Sequence, residues 1–301
     1  MSAPAIQRPA PTTAAPRRGR GPREASRVSV AVAVVFLVAL AVYFLLPVYW
    51  LVVNSTKTQG DLVSSNGFWF AHFALLDNLK HLFTRDGGVF LRWALNSLLY
   101  AGLGAAVGTL LATMAGYGLA KYTFRGREAL FSVILGGVLV PATALALPLF
   151  LLFARAHQTN TFWSVFLPSI VSPFGVYLSR IFAAASVPDE VVEAARIDGA
   201  GEMRIFFTIA SRLMAPAMVT IFLFQFVAIW NNFLLPRVML SDQQLYPLTF
   251  GLYSWQTQIA RDPALQTLVI VGSLVSVLPL IIVFLSLQRF WQSGLSAGSI
   301  K

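Results

Sequence analysis

The stretch "VPDEVVEAARIDGAGEMRIFF", which runs from Val187 to Phe207, is unusually acidic for an otherwise apolar chain. It carries five of the 12 carboxylates in the sequence, namely Asp189, Glu190, Glu193, Asp198 and Glu202. Charged side chains are costly inside the hydrocarbon of a bilayer, so this stretch is too polar to cross a membrane. Because apolar runs flank it on both sides, it predicts a loop that leaves the membrane between two spans.

The composition of the whole chain is that of an integral membrane protein. Of the 301 residues, 57% are apolar and 11% are charged, and the mean hydropathy is +0.71, whereas soluble domains carry about 25% charged residues. The net charge is +10, but the Lys and Arg residues lie between apolar runs instead of forming one patch, which argues against a nucleic-acid partner. The absence of cysteine excludes disulfides and thiolate metal sites.

Six segments are apolar over the roughly 20 residues that a membrane-spanning helix needs. They predict an all-α integral membrane domain over residues 28–290 with six transmembrane helices, near residues 28–53, 93–115, 130–153, 162–182, 216–235 and 266–287. With the N-terminus in the cytoplasm, fifteen of the 22 Lys and Arg residues lie on the cytoplasmic side and seven on the other. Since cytoplasmic loops are enriched in positive charge, we expect both termini to be cytoplasmic.

The two ends of the chain are expected to lie outside the membrane domain. Residues 1–27 are rich in Pro, Ala and Arg without periodicity, which predicts a disordered basic cytoplasmic tail. The apolar run after this tail is longer than the core of a signal peptide, which has about 7–15 residues, so it predicts a signal-anchor span. Residues 291–301 are expected to form a short cytoplasmic C-terminal tail.

Small residues recur at helical spacing in the second predicted span, in the sequence GLGAAVGTLLATMAGYG. Gly104, Gly108 and Ala112 are four residues apart, a spacing that lets two helices approach closely. The segment GLGAAVG (102–108) also resembles a dinucleotide-binding fingerprint, but that motif needs a strand before it and a βαβ unit around it. The sequence therefore favours helix packing at this stripe.

The acidic loop, residues 186–214, predicts two short helices joined by a glycine elbow. Ser186 is a candidate N-cap for a first helix whose first turn would contain Pro188 and Asp189 and which would run to about Ile197; an acid in that turn suits the helix dipole. Gly199 can close this helix in a left-handed conformation, and Gly201 allows the second helix to begin.

A small apolar patch interrupts the carboxylates of this loop and consists of Val187, Val191, Ala194 and Ala195. A helix this short is not stable alone in water, so a partner surface should hold it. The two alanines would let such a partner come close to the backbone. A solvated loop is the alternative, and a metal site is not expected because no His accompanies the carboxylates.

A longer pattern in the loop resembles the EAA loop of type I ABC importer permeases: Glu193-Ala194-Ala195, three residues, Gly199, nine residues and Ile209. The resemblance covers nearly all of residues 30–301. Within the family the chain is similar to the carbohydrate-uptake subfamily, in particular to the smaller membrane subunit of the maltose importer. It is carried by LLPVYWLVVNSTK (45–57), NSLLYA (96–101), GYGLAKYTFRGRE (116–128), WNNFLLP (230–236) and QRFWQSGLSAGSIK (288–301). One departure is that Ser211 and Arg212 stand where the family usually has Leu and Pro.

The resemblance implies a permease subunit in a bacterial cell membrane. Its expected partners are a second homologous permease that completes a heterodimer, two ATPase subunits and an extracytoplasmic solute-binding protein. In the family this loop docks on the ATPase, which implies a coupling role for Glu193, Ala194, Ala195, Asp198, Gly199 and Ile209. The chain has no GxxxxGK[ST] phosphate-binding loop, so ATP and Mg²⁺ are expected on the ATPase subunits and no cofactor or catalytic residue on this chain.

Between the fifth and sixth predicted spans, residues 237–263 are aromatic but too interrupted to cross a membrane. By resemblance this segment should face the solute-binding protein, with Tyr253 and Trp255 as candidate contacts. The alternative is that both rings anchor the chain at the membrane interface, where such side chains are enriched.

Candidates for the substrate pathway are uncharged polar and aromatic residues within the predicted spans: Ser169, Ser172, Tyr177, Gln225, Trp230, Asn231, Asn232, Ser273 and Ser276. These groups suit a sugar, and the resemblance implies a di- or oligosaccharide, although hydrogen bonding between helices is an alternative role. Glycerol phosphodiesters or sugar phosphates are the second cargo class, for which Arg237 could serve the anion. An ion-coupled secondary transporter is less favoured, because the predicted spans lack an Asp, Glu or His relay.

Overall fold

The computed structural model describes residues 27–297, with the side chains of residues 28, 30–288 and 290. The predicted N-terminal tail therefore lies outside the described residues except for Arg27, which begins the first helix. All regular secondary structure in the described part is helical. The chain divides into two compact units, residues 1–47 and 48–301.

In the first unit the described residues belong to helix α1, Arg27–Ser55, which continues into the second unit. Valine, leucine and phenylalanine side chains are exposed all around this helix, including Val35 at 69% and Phe44 at 69%. A helix that is apolar on every face is typical of a membrane span. The predicted first span, residues 28–53, is confirmed as one helix.

The second unit contains the other helices of the described chain. The first group is α2 (Gln59–Ser64), α3 (Leu75–Thr84), α4 (Val89–Leu98) and α5 (Gly104–Lys121), with a π-helical turn at Leu99–Leu103 between the last two. The next group is α6 (Arg127–Gly136), α7 (Ala142–Arg155), α8 (Phe162–Ser169) and α9 (Pro173–Ser186).

Short helices and the last spans complete the described chain. The short helices are α10 (Asp189–Ile197), α11 (Glu202–Ile205) and α12 (Ser211–Leu213), with a π-helical turn at Phe206–Ala210 before α12. They are followed by α13 (Ala215–Trp230), α14 (Leu234–Met239), α15 (Leu248–Gln256) and α16 (Ala264–Ala297).

Four helical stretches in the described part are long and apolar enough to cross a membrane, at residues 30–55, 89–121, 162–186 and 264–288. Two bent pairs also qualify: α6 with α7, bent by 103°, and the α11–α12 segment with α13, bent by 83°. The chain thus has four candidate spans, or six if each bent pair is one span.

The third predicted span, residues 130–153, corresponds to the bent pair α6 and α7, because the chain breaks at Pro141. Val140 is extended, with φ −81° and ψ 118°, and Pro141 follows with ψ 131° before α7 begins. Proline disfavours the helical conformation of the residue before it, which accounts for the break. The fifth predicted span also ends early, at Trp230, and α16 continues past residue 290 to Ala297.

Helix α5 packs through the predicted stripe of small residues. A Cβ atom on Gly104 would lie 2.9 Å from Ile229 Cδ1, and one on Gly108 would overlap the Gln225 amide, so both glycines face α13. On the other side, a Cβ on Gly116 would overlap Ser179 of α9. The prediction of helix packing at this stripe is confirmed.

Three apolar clusters of described residues hold the second unit together, and the smallest joins α5 and α9 through Ala112, Leu119 and Val176. The largest one includes Trp93, Tyr100, Phe226, Trp230, Leu248, Trp255 and Val271. The remaining one, called the loop cluster here, joins the end of α5 and α9 to the acidic loop through Tyr117, Ala183, Val187, Val192, Ala195, Ile205, Phe206, Ala210 and Met214. The acidic loop is therefore anchored on its own apolar core.

Candidate functional site

A cavity of about 970 Å³, called the central cavity, lies where three helix interruptions meet. Its walls come from the break between α6 and α7, the junction of α8 and α9, and the C-terminal half of α13 together with the break that follows it before α14. The polar lining residues are Ser169, Ser172, Gln225, Asn231 and Asn232, and the aromatic ones are Phe174, Phe224 and Phe233. None of its described lining residues is Asp, Glu, Lys, Arg or His.

Gln225 is a buried amide in the wall of this cavity. Its side chain is only 7% exposed, and its Nε2 donates to the carbonyl oxygen of Ser169 at 3.1 Å. That bond sets the orientation of the amide, so Oε1 is the remaining acceptor, and it has no hydrogen-bond partner within the protein. A buried polar atom without a partner is costly, and because this oxygen is enclosed by protein, a ligand hydroxyl reaches it only when the side chain moves.

The two asparagines lie just after the last turn of α13. Asn231 is exposed and its Nδ2 donates to the carbonyl oxygen of Val227 at 2.9 Å. Asn232 is half-buried, and its Oδ1 accepts from the backbone N–H of Leu235 at 3.3 Å. Each amide therefore retains one further polar atom that can serve a ligand while the other end stays anchored.

Several other sequence-predicted pathway residues do not line the central cavity. Trp230 is 3% exposed and stacks on Phe226 with ring centroids 5.7 Å apart. Ser273 and Ser276 are half-buried on α16, where Ser276 Oγ donates to the Ser273 carbonyl oxygen at 2.7 Å. Tyr177 stacks on a phenylalanine of α6. These residues act in packing in the arrangement described.

Sequence reasoning missed the three phenylalanines of the central cavity. Phe224 precedes Gln225, and Phe233 follows Asn232, so each ring adjoins a predicted amide along the chain. That adjacency is a signal for Phe224 and Phe233, whereas no such neighbour marks Phe174. Phe174 and Phe224 also contact each other edge to face, with centroids 6.0 Å apart.

The acidic loop forms the predicted pair of helices around a glycine elbow. Helix α10 ends at Ile197, and Gly199 follows with φ +80°, in the left-handed region that favours glycine. Gly201 precedes α11 as predicted. The N-cap prediction is wrong, because Ser186 is the last residue of α9 and Pro188 precedes α10 without a side-chain cap.

The predicted coupling residues differ in exposure. The side chains of Glu193, Ala194 and Asp198 are exposed and so is Gly199, whereas Ala195 is buried in the loop cluster. Ile209 is half-buried against the same cluster. The apolar patch is therefore split, because Val187 and Ala195 point inward and only Val191 and Ala194 are exposed.

Polar contacts tie this loop to the end of α5. Lys121 Nζ donates to the carbonyl oxygen of Val187 and to Asp189 Oδ1, the latter at 2.7 Å. The hydroxyl of Tyr122 donates to Glu202 Oε2, and Arg196 Nε donates to Glu202 Oε1 at 2.7 Å. The bonds from Arg196 and Tyr122 lower the pKa of Glu202, while burial, followed by the bond to Glu202, raises the pKa of Tyr122 to about 12.

The two predicted contacts for a binding protein have different surroundings. Trp255 is 4% exposed and packs on Trp93 with ring centroids 4.7 Å apart, so little of its ring is accessible. Tyr253 is half-buried and contacts Phe233 edge to face at 4.5 Å, with the Arg237 guanidinium 5.3 Å from its centroid.

A second cavity, of about 610 Å³, lies between α2, α3 and the start of α16. Its lining includes Gln59, Asp77, His81, Arg85 and Thr267, and none of the sequence-predicted site residues. Among the described residues, no group of three or more His, Asp or Glu side chains is placed to hold a metal ion.

A cavity between interrupted apolar helices, together with an anchored polar loop outside them, defines a membrane transport subunit. The chain belongs to the family of binding-protein-dependent transport system inner membrane components, which it matches over residues 108–296. Members of this family are the membrane-embedded permeases of ABC transporters.

Curated relatives cover most of the chain. It is 35% identical over 269 residues to the arabinooligosaccharides transport system permease protein AraQ of Bacillus subtilis, which covers 88% of this chain and 94% of the relative. It is 32% identical over 255 residues to the lactose transport system permease protein LacG of Rhizobium radiobacter, with 85% and 90% covered.

A solved structure has the same fold. It belongs to a bacterial ABC transporter involved in the import of the acidic polysaccharide alginate, and it superposes with a TM-score of 0.78 over 90% of this chain and 99% of the other. The two chains are 20% identical, so this likeness bears on the fold alone.

Proposed function

We propose that the chain is the permease subunit of an ATP-driven importer that moves a di- or oligosaccharide across the cell membrane. The observation that carries this proposal is the uncharged lining of the central cavity, which combines the amides of Gln225, Asn231 and Asn232 with two serine hydroxyls and three phenylalanine rings. Its volume of about 970 Å³ lies in the range of roughly 300–1,000 Å³ that is usual for small-molecule sites. The relatives named for arabinooligosaccharide and lactose transport support the same cargo class.

Within this proposal, the substrate contacts are Gln225, Asn231 and Asn232, with the phenylalanines as apolar walls. Sugar hydroxyls can donate to Asn231 Oδ1 and accept from Asn232 Nδ2, while the described lining offers no cation to a phosphate or carboxylate. Trp230 would support these contacts by stacking on Phe226 of the same helix, and Ser273 and Ser276 remain candidates for the pathway on α16, outside this cavity.

Glycerol phosphodiesters or sugar phosphates are the second candidate cargo. Arg237 is exposed and lies over the rings of Phe233 and Tyr253, at 5.6 and 5.3 Å from their centroids. It is the cationic group nearest in sequence to the cavity amides, but it is not part of the cavity lining. The lining therefore favours a neutral cargo.

We further propose that six spans cross the membrane, with each bent pair as one span and both termini in the cytoplasm. Lipid contacts the exposed apolar faces, such as that of α1. The acidic loop is then cytoplasmic, and Glu193, Ala194, Asp198 and Gly199 are exposed where an ATPase subunit can dock. This loop is called the coupling loop below.

In the assembled importer the chain pairs with a second permease and two ATPase subunits, and ATP and Mg²⁺ bind to those ATPases. A solute-binding protein delivers the sugar, and Tyr253 is the better exposed of its two candidate contacts. The chain itself has no catalytic role.

Uptake by a strain that lacks this gene tests the proposal. Labelled disaccharides, oligosaccharides and glycerol phosphodiesters would be supplied with and without the gene restored. We expect loss of one class of sugar, rescue by the gene, and a block when ATP is depleted while ion gradients are held. Unchanged uptake of every sugar would refute the cargo, and uptake that follows the ion gradient instead of ATP would refute the energy source.

A further inference from the structure

The last residue of α5, Lys121, connects three helices through one ammonium group. Its side chain is 6% exposed, and Nζ reaches both the Val187 carbonyl oxygen at the end of α9 and the Asp189 carboxylate at the start of α10. A buried ammonium is costly unless its protons are hydrogen-bonded. Lys121 is therefore stable in this position only while α5, α9 and α10 keep their relative placement.

The next residue, Tyr122, contacts both sides of the glycine elbow. Its hydroxyl binds Glu202 at the start of α11, and Glu202 also accepts two bonds from Arg196, in the last turn of α10. The Arg196 guanidinium lies 5.8 Å from the Tyr122 ring centroid. Bonds between charged groups and bidentate pairs are stronger than neutral ones, so this set holds the elbow closed around Tyr122.

Helix α5 is not covalently adjacent to the coupling loop, since 66 positions separate Lys121 from Val187. It is nevertheless packed tightly on α9, where Gly116 leaves no space for a side chain against Ser179. A loop displaced by a partner would therefore act directly on the end of α5 and not only on α9 and α13, which it connects.

We propose that Lys121 and Tyr122 are positioning residues that fasten the coupling loop to α5, so that an ATPase docked on the loop moves the second span together with the fourth and fifth. This inference rests on the proposed function. It assigns a role in energy transfer to residues 119–124, LAKYTF, which lie outside the EAA motif of the loop.

The first test uses the complete complex, with partner permease, ATPase subunits and binding protein, in proteoliposomes. In Lys121→Met and Tyr122→Phe we expect the sugar moved per ATP hydrolysed to fall about tenfold, as for loss of one hydrogen bond with a charged partner, while ATP hydrolysis continues. Lys121→Arg should retain transport because it keeps a buried donor. Lys80→Met and Tyr49→Phe, on exposed parts of the chain away from the loop, are the matched controls.

Two outcomes would overturn the inference. One is an unchanged ratio of sugar to ATP in both variants. The other is a parallel loss of transport and ATP hydrolysis, which would mean that the residues support only the fold or the docking of the ATPase.

A second test does not depend on the cargo. The chain has no cysteine, so Thr123→Cys and Thr208→Cys, both exposed, can carry a pair of spin labels on the α5 side and the loop side. In the parent we expect the distance between the two spin labels to stay the same through the ATP cycle. In Lys121→Met we expect a second, longer distance between the labels when ATP is present. A distance that changes equally in both would refute the fastening, even if sugar transport itself were disproved.

Discussion

Gln225 of α13 lies directly across Gly108 of α5, in the space that a side chain at residue 108 would occupy. A Cβ atom on Gly108 would overlap the Gln225 amide and would lie 2.7 Å from the carbonyl oxygen of Ile170. The glycine thus permits the position from which Gln225 Nε2 reaches Ser169 and leaves Oε1 free. The absence of a side chain at Gly108 in one span therefore determines the position of the Gln225 amide in the wall of the central cavity.

Gly108→Ala should displace Gln225 and destabilise the protein. Inserting a methyl group into a packed interior costs roughly 1–3 kcal/mol when the neighbours are backbone and a buried amide. We expect a lower unfolding temperature in detergent and weaker sugar uptake. Gly102→Ala, on the same span with nothing within 4 Å of its Cβ position, is the matched control and should match the parent in both measurements. Equal stability of the two variants would refute the close approach.

Gln225→Met should lower sugar uptake while leaving membrane insertion intact. Methionine has a similar volume but removes the bond to Ser169 that joins two walls of the cavity, so sugar binding should weaken by about tenfold, the value of one good hydrogen bond. The measurement is the concentration of labelled sugar that gives half-maximal uptake. Gln258→Met removes a similar side-chain bond to a carbonyl oxygen on the exposed chain after α15, and should leave that concentration unchanged.

Hydropathy predicts where most helices lie but does not locate the breaks within them. The second predicted span is confirmed within residues 89–121, because nothing but a π-helical turn interrupts it. The third is a pair of helices bent by 103°. Because both halves are apolar, the hydropathy averaged over the pair does not reveal the break at Pro141. Proline disfavours the helical conformation of the residue before it, but the angle of the break depends on the packing of α7, which the local sequence does not contain.

The candidate site follows the same pattern. Gln225, Asn231 and Asn232 are predictable as polar residues in an apolar stretch, and the cavity brings them together. Its phenylalanines are not predictable by type, because the chain contains 24 of them and most membrane-facing surfaces use the same residue. Ser273 and Ser276 have the right chemistry but lie on a different helix from the cavity walls.

Gly199→Val should uncouple the coupling loop from transport. Residue 199 has φ +80°, and an L-residue in the left-handed region costs roughly 1–2 kcal/mol, more for a β-branched side chain. The elbow should open and alter the placement of α10 relative to α11. We expect reduced sugar uptake per ATP hydrolysed, with normal amounts of protein in the membrane.

The same elbow offers a control for this substitution. Gly201 has φ −69° and open space around its Cβ position, so Gly201→Ala introduces no strain. It should transport like the parent. If Gly199→Val also transported normally, the left-handed residue would have no part in coupling.

Acid should loosen the elbow through Glu202. Its pKa is lowered from the ordinary 4.5, first by the hydrogen bond from Arg196 and then by that from Tyr122. A carboxyl whose folded pKa is depressed adds stability above its unfolded pKa, and this contribution disappears as the pH falls through the lower folded value. The neighbouring charged groups include Lys121 and Asp189, which pair with each other, Arg127, which donates to the Tyr122 carbonyl oxygen at 3.3 Å, and the exposed Asp198 within the elbow.

We therefore expect backbone amides of residues 196–205 to exchange hydrogen faster, relative to their intrinsic rates, as the pH falls from about 6 to about 3. The steepest change should come below 4.5, where Glu202 is protonated in the folded loop and its bonds from Arg196 weaken. In Glu202→Gln the charge is absent at every pH, so exchange should be faster at neutral pH and nearly independent of acid. If parent and variant respond alike to acid, another group controls the elbow. Because Arg196 and Glu202 are the contacts around which Tyr122 is held, that result would also weaken the argument that Tyr122 positions the coupling loop.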